Sequence, residues 1–200
     1  MPISRIAAES AIRALIACNA GEMFDKIRGN QHSMEKHFSK QAAMAAADDN
    51  PQGYFKRIKN ISIASSADLN AYRETKIFRK ALDEVGAKKP SEFGKKLKRR
   101  TLVIPQKSAA QKDDILDLVT SVISAPDCEL RENRTNQDTR FLAVSPVPDG
   151  FYGRSIDNQG NKTTCGMAVV IVNAAATTNP QIVTIFPAGM DYVNRHRLLT

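Results

Sequence analysis

Two histidines five residues apart hold the most versatile acid/base chemistry of the chain. His32 and His37 are two of only three histidines in 200 residues. Histidine is the one side chain whose ordinary pKa lets it take up and release a proton near neutral pH. On a helix, five residues correspond to about 140° of rotation, so the two imidazoles would lie on different faces. The spacing does not fit the paired zinc ligands of H-E-x-x-H. Each histidine is therefore either a catalytic group or a structural one that closes a helix end or lies in solvent.

An arginine and a hydroxyl could complete a site around such a histidine. Arg57 follows Lys56 in a half-apolar segment, and Thr184 shares one face of a predicted strand with Phe186. Strand propensity alone also explains a threonine at this position. A histidine, an arginine and a hydroxyl are the minimal set for cleaving RNA without a metal. The histidine moves the protons, and the other two groups stabilise charge on the phosphoryl oxygens. We find no convincing carboxylate cluster for Mg²⁺ and expect neither metal nor cofactor.

The composition fits a soluble globular chain with an anionic partner. The apolar fraction is 42% and the charged fraction 25%, which are ordinary values. The net charge of +8 favours nucleic acid, an acidic protein or anionic lipid as partner. The three isolated cysteines predict no disulfide framework, and a reducing compartment suits them best.

The sequence predicts no membrane segment. No apolar run reaches the ~18–20 residues that cross a bilayer. Glu9 and Arg13 interrupt the apolar N-terminus, which makes it a poor signal peptide. If the protein is exported, we expect another machine or a larger parent chain to carry it.

Helical periodicity dominates the first half of the chain. Residues 3–28 show helical spacing with a break at Gly21, and a second pattern runs from Ser33 to Ala47. A third is predicted from Ala67 to Val85. Lys88–Arg100 then holds seven basic residues, which form either a solvated face or a phosphate-steering surface.

Strand patterns dominate the second half. Thr101–Ile104 predicts a strand, whereas periodicity does not decide between helix and strand for Asp114–Val122. Arg140–Val147, Gly166–Asn173 and Gln181–Phe186 follow one another with short turns and no helix between them. This succession predicts an antiparallel sheet. The fold class is therefore α+β, with N-terminal helices followed by a twisted antiparallel sheet.

Four segments, in this order, resemble one protein family. The sequence is similar to the ribonuclease-A-like toxin domains at the C-termini of bacterial contact-dependent growth inhibition (CDI) proteins, over about residues 29–187. The segments are His32-Ser33-Met34-Glu35-Lys36-His37-Phe38-Ser39-Lys40, Tyr54-Phe55-Lys56-Arg57-Ile58, Ala64-Ser65-Ser66-Ala67-Asp68, and Gly153-Arg154-Ser155 followed by Val183-Thr184-Ile185-Phe186-Pro187.

The resemblance implies a fold like pancreatic ribonuclease without its disulfides. It divides the chain into an N-terminal helical extension, residues 1–28, and a toxin domain, residues 29–200. Residues 1–28 would serve entry, delivery or packing. The resemblance also implies metal-independent RNA cleavage in the cytoplasm of a target bacterium after delivery, and neutralisation by a cognate immunity protein.

The same resemblance assigns the site residues. His37 is the general acid or base with His32 second, and Arg57 and Thr184 bind the scissile phosphate and its transition state. Phe186 replaces the tyrosine with which the family motif closes, so that hydroxyl is absent here. The substrate-binding set consists of Phe186 and the three residues that could stand in for the missing hydroxyl, which are Lys56, Tyr152 and Arg154.

A non-catalytic reading competes with this one. A basic RNA-binding or interaction protein on a degenerate ribonuclease-like fold would bind phosphates through Lys88–Arg100 and Arg134–Arg140, and His37 would be structural. Phe186 favours an inactive ribonuclease relative. The third histidine, His196, lies between two arginines in the C-terminal tail, where we expect it to be exposed to solvent.

Overall fold

A computed structural model of the chain describes residues 3–27, 36–47, 51–62, 101–105, 112–134 and 139–200. The chain divides into two compact units, Met1–Lys56 with Ser108–Thr200 and Arg57–Lys107. Within the described ranges the helices are α1 (Arg5–Ile16), α2 (Ala20–Lys26), α3 (Lys40–Ala45), α4 (Lys112–Ile123) and α5 (Met190–Val193). The strands are β1 (Gln52–Ser62), β2 (Thr101–Pro105), β3 (Glu129–Glu132), β4 (Arg140–Pro146), β5 (Phe151–Ile156), β6 (Lys162–Cys165), β7 (Met167–Asn173) and β8 (Gln181–Ala188). The α+β class is confirmed.

Side-chain caps determine where the first two helices begin. The Ser4 hydroxyl accepts a hydrogen bond from the Ala7 amide at 3.3 Å and starts α1. Asn19 and Glu22 form a reciprocal capping box, each side chain accepting from the other's amide at 3.0 Å. The predicted break between the helices exists but lies before Gly21, at residues 17–19, because this box starts α2 at Ala20 and places the glycine inside the helix.

The segment left undecided by periodicity is the helix α4. Asp113 and Asp114 lie in its first turn, where carboxylates interact favourably with the helix dipole. Its buried residues Ile115, Leu118 and Val122 recur at helical spacing. They share one core with residues of α1, which are Ala8, Ala11, Ile12 and Leu15. The N-terminal helices thus contribute to the packing of the first unit.

The main sheet of the first unit is antiparallel, in the order β3-β4-β7-β8. Its three long strands occupy the segments predicted from the sequence. β7 is buried on both faces, since Ala168 and Val170 lie in the core with α1 and α4 while Val169 lies in a second cluster. That second cluster also contains Leu142, Val144, Ala188 and Val193.

A bulge at Val183 determines which side chains of β8 point into the main core. Thr184 and Ile182 pair with consecutive residues of β7, so Val183 is an extra residue in the ladder. Ile182 and Ile185 can therefore both enter the main core, although they are three positions apart. Beyond the bulge the alternation is regular, and Phe186 packs against the second cluster.

The remaining strands are β1, β2, β5 and β6. Within the first unit, β1 is the neighbour of β5, and β5 pairs antiparallel with β6. Helix α3 packs against this sheet through Ala43, which contacts Tyr54 and Ile156. In the second unit, residues 58–62 of β1 pair antiparallel with β2, which confirms the strand predicted at Thr101–Ile104.

Several predictions fall outside the described residues. These are His32, the motif Ala64–Asp68, the helix Ala67–Val85 and the basic run Lys88–Arg100. The likeness to pancreatic ribonuclease and the boundary at residue 28 stay predictions. No helix in the described ranges is both long enough and apolar enough to span a membrane.

Candidate functional site

His37 is fixed by its chain neighbours on both sides. Lys36 and His37 lie in a π-helical turn, and Phe38 enters the main core, where its ring is 5.7 Å from that of Phe55. Ser39 then caps α3 by accepting a hydrogen bond from the Ala42 amide at 3.2 Å. Because Phe38 is anchored and α3 starts at once, the backbone at His37 has little freedom, and the side chain is only 6% exposed.

The hydrogen bond to Gly53 selects the tautomer of His37. The Nδ1 atom lies 2.8 Å from the carbonyl oxygen of Gly53 in β1. A carbonyl oxygen only accepts, so Nδ1 carries the hydrogen. In the neutral ring, Nε2 is then the atom with the lone pair. The arrangement prepares Nε2 to accept a proton.

Gly53 itself packs directly on β8. A β-carbon at position 53 would meet the backbone oxygen and ring carbons of Pro187, and one at Gly153 in β5 would meet the Pro187 ring. The two glycines allow the sheets to approach closely around Pro187. This approach places the carbonyl group that binds His37 beside the end of β8.

Four rings follow one another from His37 to the C-terminal tail. The centroids of His37 and Phe186 are 5.7 Å apart, those of Phe186 and Tyr192 5.4 Å, and those of Tyr192 and His196 4.9 Å. The Phe186–Tyr192 contact is edge-to-face at 84°, a favourable geometry for aromatic pairs. We call these four residues the ring row. Burial raises the pKa of the Tyr192 phenol, although the nearby charge of Arg195 opposes that change.

The prediction that His196 is exposed to solvent is wrong. Its side chain is 8% exposed, and Nδ1 lies 2.9 Å from the Glu132 carbonyl oxygen. The tail runs along β3, where Glu132 donates its amide to the Arg197 carbonyl at 2.8 Å. Leu199 donates its amide to Leu130 at 2.9 Å. These backbone bonds draw the histidine into the protein.

Thr184 lies on the same face of β8 as Phe186. Two residues along a strand span about 6.8 Å. The α-carbon of Thr184 therefore lies about that far from the α-carbon of Phe186, whose ring contacts His37. Its side chain is half-buried. The structure thus brings two of the predicted site residues, His37 and Phe186, into contact and places Thr184 on the adjoining surface.

Tyr152 and Arg154 form a pair of their own on β5. The guanidinium carbon of Arg154 is 5.6 Å from the centroid of the Tyr152 ring, within cation–π range. Gly153, between them, faces Pro187, so their side chains lie on the other face of the strand. Their approach to His37 stays a prediction.

The remaining predicted residues are dispersed between the two units. Lys56 is the last residue of the first unit's N-terminal part, and Arg57 is the first residue of the second unit. Both side chains are half-buried. The convergence of Arg57 with His37 and Thr184 stays a prediction.

Comparison with known proteins identifies no family. No protein-family model matches the chain, and no curated protein or solved structure gives a match. The resemblance to CDI ribonuclease toxins therefore depends on the sequence motifs alone. Among the described residues, no group of three or more His, Cys, Asp or Glu is arranged to hold a metal.

The sequence pointed to no role at the site for Gly53, Tyr192 or His196. In the structure Gly53 bonds to His37, and Tyr192 and His196 continue the ring row beyond Phe186. Tyr192 and His196 are close in the chain, and the turns that follow α5 bring their ring centroids to 4.9 Å. Gly53 gave no signal in the sequence, because its role depends on the distant Pro187.

Proposed function

We propose that this chain is a metal-independent endoribonuclease in which His37 is the general base or acid. The observation that carries the proposal is the hydrogen bond from Nδ1 of His37 to the Gly53 carbonyl oxygen at 2.8 Å. It leaves the Nε2 lone pair as the basic site of the neutral ring. A histidine held in one tautomer by a fixed backbone acceptor is arranged for proton transfer.

The reaction needs no protein nucleophile. As Nε2 of His37 removes the proton of the ribose 2′-hydroxyl, that oxygen attacks the adjacent phosphorus and the bond to the 5′-oxygen breaks. A second acid, assigned to His32, protonates the leaving 5′-oxygen. The products are a 2′,3′-cyclic phosphate and a free 5′-hydroxyl. Arg57 and Thr184 stabilise the charge on the phosphoryl oxygens.

The substrate is RNA. The net charge of +8 favours a polyanion. Lys56 and Arg154 assist phosphate binding, while Tyr152 and Phe186 provide aromatic surface on which bases stack. Phe186 is the member of this set that lies beside the proposed catalytic group, because its ring centroid is 5.7 Å from that of His37.

The biological role proposed from the motif resemblance is that of a bacterial toxin. It would be delivered into the cytoplasm of a competing bacterium and neutralised in the producer by a cognate immunity protein. Both statements depend on the ordered motifs from His32 to Pro187 and not on the comparisons.

Incubation of the purified protein with total RNA in EDTA tests the enzymatic proposal. We expect cleavage by the parent protein, loss of cleavage in His37→Ala and a large reduction in Thr184→Ala. Thr163→Ala is the matched control, since Thr163 is an exposed strand threonine on β6, and it should cleave like the parent. Thermal unfolding of each variant reports whether it is folded. Full activity of folded His37→Ala, or parental activity that EDTA abolishes, would refute the mechanism.

A non-catalytic RNA-binding protein is the second candidate. Two observations favour it. Position 186 lacks the hydroxyl of the family motif. The side chain of His37 is only 6% exposed, as is common for histidines with a structural role. This candidate predicts RNA affinity that falls steeply with salt and no cleavage products. The same incubation, followed by a binding titration at several salt concentrations, separates the two.

A further inference from the structure

The ring row is anchored at both ends. At one end Nδ1 of His37 bonds to the Gly53 carbonyl at 2.8 Å. At the other, Nδ1 of His196 bonds to the Glu132 carbonyl at 2.9 Å. Arg131 also donates to the backbone oxygen of His196 at 2.7 Å. The two inner rings therefore lie between two imidazoles that are each bound to a strand.

Tyr192 contributes to this row through its ring. Its centroid lies 5.4 Å from that of Phe186 and 4.9 Å from that of His196. The phenol oxygen makes no hydrogen bond to any described residue. Two features of the chain fix the position of Tyr192. Helix α5 begins two residues after β8 ends, and the neighbouring Val193 is buried in the second cluster.

A hydrogen bond at Nδ1 fixes one atom of the His37 imidazole but still permits the ring to tilt about it. The ring of Phe186 lies 5.7 Å away at 37° and limits this tilt. Phe186 is half-buried and would be free to change rotamer without a second supporting contact. The edge-to-face contact with Tyr192 is that support.

We infer that Tyr192 is a positioning residue whose ring holds Phe186 against His37 and thereby orients Nε2 for proton transfer. The inference builds on the proposed ribonuclease function. It assigns a task to the C-terminal segment, which lies outside the motifs that resemble the toxin family.

Two substitutions of Tyr192 distinguish the contribution of its ring from that of its hydroxyl. We expect Tyr192→Leu to lower kcat for RNA cleavage by about 10- to 100-fold, because small misplacements of a catalytic group are costly. KM should change less than kcat, because Lys56, Tyr152 and Arg154 stay in place and only the ring of Phe186 is displaced among the residues assigned to substrate binding. Tyr192→Phe should retain the parental kcat, because the ring contacts persist. The matched control is Met190→Ala, a 50% exposed residue on the same helix outside the row, and it should match the parent.

A double-mutant cycle tests whether Tyr192 acts through Phe186. Phe186→Leu should lower kcat, and adding Tyr192→Leu to it should cause no further loss, because contacting residues that act as a unit are not additive. Independent, multiplicative losses would overturn the inference.

An NMR measurement reads the position of His37 without an activity assay. The chain has three histidines, so the Hε1 resonance of His37 is assigned by its disappearance in His37→Gln. Its chemical shift should move in Tyr192→Leu and stay in Tyr192→Phe, because the ring current of Phe186 depends on distance and tilt. If Tyr192→Leu does not fold, Tyr192→Met, which also removes the ring at position 192 and keeps Phe186, gives the same readout.

The outcomes separate this inference from the proposed function. An active parent with equally active and spectrally unchanged Tyr192→Leu would refute the positioning role alone. Equal losses in Tyr192→Phe and Tyr192→Leu would also refute it, since the hydroxyl would then be the acting group. A folded parent that does not cleave RNA would refute the proposed function, and the positioning role with it.

Discussion

Pro187 lies against the α-carbon of Gly53 so closely that a β-carbon there would stand 2.5 Å from the proline carbonyl oxygen and 2.9 Å from its Cδ. Real β-carbons do not approach backbone atoms this closely, so position 53 requires glycine. The carbonyl oxygen of the same glycine accepts the hydrogen bond of His37. Packing between the sheets and the geometry of the imidazole are therefore linked at one residue.

Gly53→Ala should destabilise the protein and weaken the proposed RNA cleavage together. We expect a loss of about 1–3 kcal/mol in the free energy of unfolding, the usual cost of overpacking, because the proline backbone must shift. The shift also moves the acceptor of His37. Urea unfolding and RNA cleavage measure the two effects.

The control for this prediction is Gly166→Ala. A β-carbon at Gly166 meets nothing within 4 Å, so stability and activity should match those of the parent. An unchanged unfolding free energy in Gly53→Ala would contradict the close approach of β1 to β8.

The long strands of the main sheet were predictable because their composition is extreme. β4 and β7 are almost continuous apolar runs, since both their faces are buried. β1 and β5 were not predicted, because half-buried polar residues such as Lys56 and Arg154 interrupt their pattern. The bulge at Val183 was also missed, since it depends on the register against β7.

The candidate site, like the strands, could be predicted from the sequence only in part. His37 and Phe186 were named from the sequence, and their rings are in contact. His196 was misjudged, because its burial results from backbone hydrogen bonds between the tail and β3. Such bonds leave no trace in hydrophobic periodicity. The charged neighbours Arg195 and Arg197 instead predict that the side chain of His196 is exposed.

Arg131→Met should release the C-terminal tail. Arg131 donates to the carbonyl oxygens of His196 and Val193 at 2.7 and 3.2 Å and binds Glu129 through two nitrogens at 2.8 and 2.6 Å. Its side chain is 11% exposed. We expect a loss of about 2–3 kcal/mol in unfolding free energy, because hydrogen bonds from a charged donor are lost and buried acceptors are left unsatisfied. Chemical denaturation measures it.

An exposed pair of the same chemistry is the comparison for Arg131. Arg5 binds Glu9 at 2.8 Å on α1, with 61% of the arginine side chain exposed. Arg5→Met should cost only about 0.3–0.5 kcal/mol, as measured for helical surface pairs. Equal costs for the two substitutions would show that the tail is not held by Arg131.

Cys128 should resist alkylation at pH 8. Burial raises the pKa of its thiol to about 11, and backbone hydrogen bonding opposes this only in part. The residue lines a groove of about 450 Å³ between α1, β3 and the tail, so the low thiolate population, more than access, should limit the reaction. About 0.1% of the thiol is ionised at pH 8 for such a pKa, and only the thiolate reacts.

Iodoacetamide labelling followed by peptide mass spectrometry measures this reactivity. The rate at Cys128 should rise about tenfold per pH unit from pH 8 toward 10. The same residue in denaturant is the control and should react like an ordinary thiol. Rapid labelling of the folded protein at pH 8 would show that the thiol is not held in its neutral form. Burial raises the pKa of Cys165 as well, so alkylation of its thiol at pH 8 should also be slowed.

Asp157 should make the stability of the turn between β5 and β6 depend on acid pH. Its carboxylate accepts hydrogen bonds from the amides of Gln159 and Asn161 at 2.9 and 2.8 Å and from the Asn161 side chain at 2.9 Å. These bonds, the Asn161 side-chain bond first, hold the pKa of Asp157 below its ordinary value of 3.8. They also fix the turn in which Gly160 has a φ of +87°.

The sign of the effect follows from the lowered pKa. Because the folded state binds the proton more weakly than the unfolded state, the stabilisation is fully present above pH 3.8 and is lost as pH falls through the folded-state pKa. Thermal melts between pH 5 and pH 2 should therefore show a smaller acid-induced decrease for Asp157→Asn than for the parent. Asp149→Asn, at the exposed turn between β4 and β5, should follow the parent curve, because that carboxylate makes no comparable set of bonds to the residues that the structure describes. Parallel curves for the parent and Asp157→Asn would mean that the Asp157 bonds do not persist in solution, since no other change in that variant alters proton binding.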